Sequence, residues 1–423
     1  MAERREENGR EQYSFVQETV KDEQANPKKF WGGILKTAGR GLVFGLAACL
    51  AFCALKPWAD AAFSKPAEKE VTIPQDEEDE ETPKKDEEEA EEKEPVYPAL
   101  TVENYREMNR ALYQVAINAG KCVVEVRAVQ GEENWEDSAF DSTNSVSGVI
   151  VWSSSSEVLI LVPDRILRDA KKLSATFTDS TTHPVQLKKQ DKNLGLAVLA
   201  ADSRKLASTT KKQINTATLG NSNIIGRGDP AIAIGRQFGY AGGVGYGIIS
   251  TARNRVASAD KESRILTTDI PAAKGGSGVL FNTDGEVVGI IDQNITATDS
   301  MSMVTAYAIS DIKEEIELLS NGRGVPYFGI LGVAVPESAV SEQEIPAGIY
   351  VKEAEADSPA MEAGIQSGDI ITRINKTDIT SLSAYTSKLM EFKVGDTVRI
   401  HGQRQGASGY VDIDFDIVVG SKE

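Results

Sequence analysis

The sequence predicts a mainly β chain with two globular units and a long non-globular segment, and three observations carry that reading. At 423 residues the chain is too long for one ordinary core. Glycine is plentiful at 36 while aromatics make up 6%. Many short apolar runs are punctuated by Gly, Asn, Asp and Ser, a pattern of antiparallel sandwiches or barrels and not of helical bundles.

Residues 1–34 read as a charged tail. From Gly41 to Leu55 the chain is uncharged and apolar, and Lys56, Pro57 and Trp58 close the run. It is short for a span of roughly 20 residues, but a helix starting near Leu35 lets Lys36 and Arg40 reach the headgroups. A single membrane anchor is therefore expected over 35–57. Lys28, Lys29, Lys36 and Arg40 precede it and acidic sequence follows, which sets the N-terminus in the cytoplasm and the later domains outside. Two other readings stay open, a cleaved signal peptide ending near Ala59-Asp60-Ala61 and a buried core helix.

Residues 58–98 hold Pro, Lys and blocks of acid with almost nothing to bury, so they read as an extended, self-repelling disordered linker. Between Asp76 and Glu94 there are 13 acidic and 3 basic residues, a local charge of −10 within a total of −18. The folded parts are thus only mildly acidic, and the balance argues against nucleic acid as a partner. Three cysteines cannot build a disulfide framework, and Cys122 reads as a buried thiol in a β-like run. The two histidines, His183 and His401, lie far apart. With no Cys/His cluster, neither a metal nor another cofactor is expected.

After a helix beginning near Thr101, short strands are expected from Cys122, Ser147, Glu157, Leu194, Pro230, Gly245 and Glu286. Six of these segments carry a family wording in order. They are Ser147-Gly148-Val149-Ile150, Leu196-Ala197-Val198-Leu199, Leu219-Gly220-Asn221-Ser222, Ala231-Ile232-Ala233-Ile234-Gly235, Gly247-Ile248-Ile249-Ser250 and Asp284-Gly285-Glu286-Val287-Val288-Gly289-Ile290. Over residues 99–321 the chain resembles the HtrA/Do-like branch of the trypsin-like serine proteases, which implies a trypsin-like double β-barrel.

The departures fall where the chemistry belongs. A serine protease of this fold needs a histidine to take the hydroxyl proton, a carboxylate to orient it and main-chain N–H groups to hold the oxyanion. The family's Leu-Thr-Asn-x-His-Val-Val stands here as Leu161-Val162-Pro163-Asp164-Arg165-Ile166-Leu167, which puts Arg165 in the general-base position. A guanidinium stays protonated and cannot accept a proton. Gly195 stands where the family has Asp. For the nucleophile, counting forward from Asp269 selects Ser277 and counting back from Asp284 selects Gly276. Arg165 reads as a solvated surface residue, the rival being an ion pair with Asp164 or Asp269 that plugs the cleft. A Ser277–Lys274 pair would need a neutral lysine, which this glycine-rich stretch does not suggest.

A helix from Asp311, capped by Ser310, leads into Gly322-Arg323-Gly324. Residues 325–420 then resemble the PDZ domain (α+β) that follows the protease unit in the same family. The resemblance rests on Tyr327-Phe328-Gly329-Ile330, on Ser358-Pro359-Ala360-Met361-Glu362-Ala363-Gly364-Ile365, on Gly368-Asp369-Ile370-Ile371 with Ile374-Asn375, and on Val394-Gly395-Asp396-Thr397-Val398. It implies a peptide-binding loop over Tyr327, Phe328, Gly329 and Ile330, in which N–H groups around Phe328, Gly329 and Ile330 hold a peptide's terminal carboxylate while the peptide adds as an edge strand. A helix from about Ser381 to Glu391 would form the other wall, with Tyr385 and Leu389 as core or pocket residues.

The expected function is a membrane-anchored pseudoprotease whose PDZ groove captures C-termini or unfolded segments of envelope proteins. The alternative is a noncanonical serine endopeptidase using Ser277. A homo- or hetero-trimer with an HtrA-like paralogue is a further expectation from the family.

Overall fold

The computed structural model describes residues 70–76, 101–129, 144–295 and 303–423, and Glu70–Glu423 forms one compact unit. The anchor expected over 35–57, the tail before it and most of the acidic linker lie outside the described residues. Among the described residues no helix is long and apolar enough to cross a membrane.

Two closed six-stranded barrels make up the first two thirds. The first orders its strands β1 (Val123–Val129), β2 (Ser145–Ser153), β3 (Glu157–Pro163), β6 (Leu196–Asp202), β5 (Thr182–Asp191) and β4 (Lys172–Thr176) around the ring. In the second, β10 (Ser277–Phe281), β11 (Val287–Asp292), β12 (Met303–Ala308), β9 (Lys261–Pro271), β8 (Gly243–Ser258) and β7 (Pro230–Gly235) follow one another. All neighbours are antiparallel, so closure leaves no exposed sheet edge. Every strand start named from the sequence falls on or within two residues of one of these strands. β1 alternates half-buried and buried positions along its length, whereas β3, β10 and β11 are buried almost throughout. Those continuous runs are why β3 and β11 read so clearly as short apolar segments.

The helix Val102–Ala119 precedes β1, with Thr101 accepting the Asn104 N–H as its N-cap. A second helix, Lys313–Ser320, follows β12. Its entry differs from the sequence expectation: Ser310 caps nothing, and its hydroxyl bonds Asp76 while accepting the Ser222 N–H. The linker expectation also needs correcting at residues 70–76. Val71 and Ile73 are buried, their N–H groups donate to Asn321 and Glu317, and Asp76 pairs with Lys313. Two apolar side chains and a buried lysine tie this stretch to the barrel despite the acid around it.

The last third is one sheet in the order β13 (Ile330–Ala334), β14 (Ile349–Ala354), β15 (Ile370–Ile374), β17 (Thr397–Gly406) and β18 (Gly409–Val418), with β16 (Thr377–Asp378) pairing β15. The helix Leu382–Met390, capped by Ser381, packs Tyr385 and Leu389 into the core with Phe328, Ile330 and Ile400. Among the described residues β13 pairs with one strand, β14, at the edge of the sheet. That geometry is what β-strand addition requires.

Candidate functional site

Ser277 begins β10, facing Asp292 of β11 in register. The turn ahead of it is closed by the Gly276 N–H donating to the Ala273 carbonyl, with Gly275 left-handed at φ 68°. A Cβ on Gly276 would lie 2.8 Å from the Gln237 carbonyl oxygen, so no side chain fits there and Ser277 is the residue that can carry a hydroxyl. That hydroxyl is fully buried and accepts the Ser147 N–H of β2 at 2.9 Å. It points into the junction of the barrels.

A cleft of about 800 Å³ opens beside this junction, lined in part by Asp164, Arg165, Arg168, Gly195, Lys274 and Asp292. Ser277 is not among its lining residues. Arg165 lies in the 3-10 turn Asp164–Leu167 after β3. One guanidinium nitrogen contacts Asp292 Oδ1 at 2.5 Å and the other donates to the Gly275 carbonyl at 2.7 Å. Its side chain is 21% exposed, so it is not the solvated residue expected from sequence. Arg165 does form an ion pair, but its acid is Asp292; Asp269 instead accepts the Ile248 N–H. Burial raises the Asp292 carboxyl above the ordinary range, with Arg165 offsetting part of that. Burial, and then the Asp292 charge, raises Asp164 as well.

Neither histidine serves the site. His183, on β5, stacks edge-on against Phe177 at 5.9 Å, and His401, on β17, bonds Asp414. Among the described residues no imidazole or carboxylate hydrogen-bonds the Ser277 hydroxyl. Gly195 adopts φ 70°, and a Cβ there would lie 3.6 Å from Asp164 Oδ1.

The second site is the loop before β13. Gly329 sits at φ 89°, where a Cβ would fall 2.3 Å from Ser358 Cβ, so only glycine lets the main chain turn here. The Tyr327 hydroxyl donates to Glu355. The N–H groups of Phe328, Gly329 and Ile330 converge on a carboxylate of the chain itself, at 2.8, 2.7 and 3.0 Å, whereas the Tyr327 N–H donates to the Gly420 carbonyl. That carboxylate belongs to Asp260, in the turn between β8 and β9, and the Tyr385 hydroxyl donates to it at 2.7 Å. Burial raises the Asp260 carboxyl, against four hydrogen bonds that favour its ionised form. Burial and the facing Asp260 likewise raise the Tyr385 phenol.

Residues 146–290 match a family model described as a trypsin-like peptidase domain, and residues 329–415 match the PDZ domain. The serine protease Do-like HtrB of Bacillus subtilis is 30% identical over 280 residues, 62% of this chain and 59% of that protein. The chain belongs to the HtrA/Do-like family. A probable periplasmic serine endoprotease, DegP-like, of Pseudomonas putida is 28% identical over 274 residues, covering 63% of this HtrA-like chain and 54% of its own length. The matched region thus spans little more than half of each of these two relatives. Among solved structures, the HtrA-type protease AlgW with a decapeptide aligns with TM-score 0.53 and 20% identity over 74% of this chain and 99% of that one. At that identity the likeness speaks for the shared fold.

Sequence reasoning missed Asp292, Ser147 and Asp260. Asp292 closes the Glu286 strand and could have been paired with Arg165 by asking what faces Ser277 across the sheet. Asp260 carries no local signal, since its partners lie 68 to 126 residues downstream.

Proposed function

We propose that this HtrA-like chain is a peptide-binding pseudoprotease, anchored in the membrane by residues 35–57 with its domains outside the cytoplasm. Its ligands are C-termini or unfolded segments of envelope proteins. One observation supports the loss of proteolysis above the others: the Ser277 hydroxyl is buried against the Ser147 N–H while Arg165, read from the sequence as standing in the general-base position, is bound to Asp292. A hydroxyl needs a base and an open approach to attack a carbonyl, and this one has neither among the described residues. Capture at the PDZ side is supported by the converging N–H groups at Phe328, Gly329 and Ile330 and by the position of β13 at the edge of its sheet. Purified chain should leave casein intact over hours, and chain fractionated from cells should stay with membranes. Casein cleavage that Ser277→Ala abolishes would overturn the first part, and recovery in the soluble fraction the second.

The second reading, a serine endopeptidase using Ser277, draws on the names of the relatives, which are serine proteases. It requires the hydroxyl to leave Ser147 and turn into the adjoining cleft. Assembly as a homo- or hetero-trimer with a paralogue belongs to the proposal too, and light scattering on the purified chain tests its homotrimer form; a strictly monomeric species would count against that form.

A further inference from the structure

The main-chain donors that a PDZ loop presents to a peptide terminus are engaged by this chain's own Asp260. Ser258 and Lys261 pair across the β8–β9 hairpin, leaving Ala259 and Asp260 as a two-residue turn with Asp260 left-handed at φ 64°. Both turn residues are buried although they form the tip of a hairpin. Asp260 Oδ2 accepts from Phe328 and Gly329, and Oδ1 from Ile330 and Tyr385. The Asp260 N–H donates to the Ile330 carbonyl at 2.7 Å, and the Thr386 hydroxyl donates to the Asp260 carbonyl at 2.7 Å.

A peptide added along β13 would place its terminal carboxylate on the loop N–H groups and the N–H of its last residue on the first strand carbonyl. Asp260 supplies both, with its side-chain carboxylate and its own N–H. Ile330 opens β13, and Tyr385 and Thr386 belong to the helix across the groove, so the turn touches both walls where a last residue would sit. The same donors cannot serve two carboxylates, so occupation by the hairpin and by a peptide exclude each other. The carboxylate is essential to this match: a hairpin that merely buttressed the domain would need apolar contact, and a buried acid there is costly without the loop.

We propose that Asp260 is an internal ligand of the PDZ carboxylate loop, and that a peptide C-terminus enters the groove only when the β8–β9 hairpin withdraws. This rests on reading the groove as a peptide site. Apparent affinity is then the intrinsic affinity scaled by the fraction of molecules with the loop vacant. A loop vacant in one molecule in ten to one in a hundred weakens binding roughly ten- to a hundredfold.

The test uses the whole chain and fluorescein-labelled octapeptides ending in Val, Leu or Phe, each as free acid and as C-terminal amide, with anisotropy as readout. Asp260→Ala should bind the free acids about tenfold to a hundredfold tighter than wild type, with no gain for the amides, and Asp260→Asn should fall between. Saturating wild type with a free-acid peptide should speed hydrogen exchange across residues 255–262, a readout that needs no variant. Equal free-acid affinity in wild type and both folded variants, with unchanged exchange, would overturn the internal ligand while leaving peptide capture standing. No binding to wild type or to either folded variant would overturn the peptide reading and this inference together.

Discussion

Ser147 donates its main-chain N–H to the hydroxyl of Ser277 at 2.9 Å, across the junction of the two barrels. Ser147 opens the segment Ser147-Gly148-Val149-Ile150 within β2, and Ser277 is one of the two residues, with Gly276, that the sequence offers for the nucleophile's place. The bond satisfies two polar groups that closure of the junction would otherwise bury unpaired. It also leaves the Ser277 hydroxyl buried and off the lining of the cleft.

The Arg165–Asp292 pair should be energetically coupled. Arg165→Ala leaves a nearly buried carboxylate facing Asp164, and we expect a loss of about 2–4 kcal/mol in urea unfolding. Asp292→Asn in that background should restore part of it, with a coupling of at least about 1 kcal/mol across the four proteins. Simple additivity would show that the pair contributes no net interaction.

Restoring the residue types of the triad should not restore proteolysis. In the double variant Arg165→His with Gly195→Asp, the new carboxylate would need a left-handed backbone, costing about 1 kcal/mol, and would stand against Asp164. The Ser277 hydroxyl would still face Ser147. Casein turnover by this variant should equal that of wild type; turnover that appears with the double change would show that the hydroxyl reorients freely.

Asp191 should make stability pH-dependent. Burial pushes its carboxyl up to about 7 from an ordinary 3.8, against N–H donors at Asn193 and Leu194, and its Oδ2 is buried without a partner. Between those two values the unfolded chain is ionised while the folded chain stays protonated, so rising pH favours unfolding; above about 7 the penalty is complete and constant. Relative to wild type, Asp191→Asn should therefore gain roughly 3 kcal/mol between pH 4 and pH 7.5. A difference that stays flat with pH would refute the assignment.

What the sequence could reveal depended on whether a feature is local. The runs at Glu157 and Glu286 declare strands because a barrel buries both faces of β3 and β11, and Gly329 marks its turn because only glycine fits beside Ser358. The order of residues alone singles out Arg165 for the base position. It does not single out the partner, because Asp292 reaches Arg165 across 127 residues. The grip of the loop on Asp260 was equally hidden, since an Ala-Asp hairpin turn looks the same whether it meets water or another domain. Residues 70–76 read as part of a linker by composition, and only the Asn321, Glu317 and Lys313 side chains that receive them reveal otherwise.

Loss of proteolysis requires that Ser277 not act as a nucleophile, and a fluorophosphonate probe reads that without any substrate. Incubating the purified chain with the probe and mapping adducts by mass spectrometry should leave the Ser277 peptide unmodified. A stoichiometric adduct on Ser277, absent after heat denaturation, would contradict it.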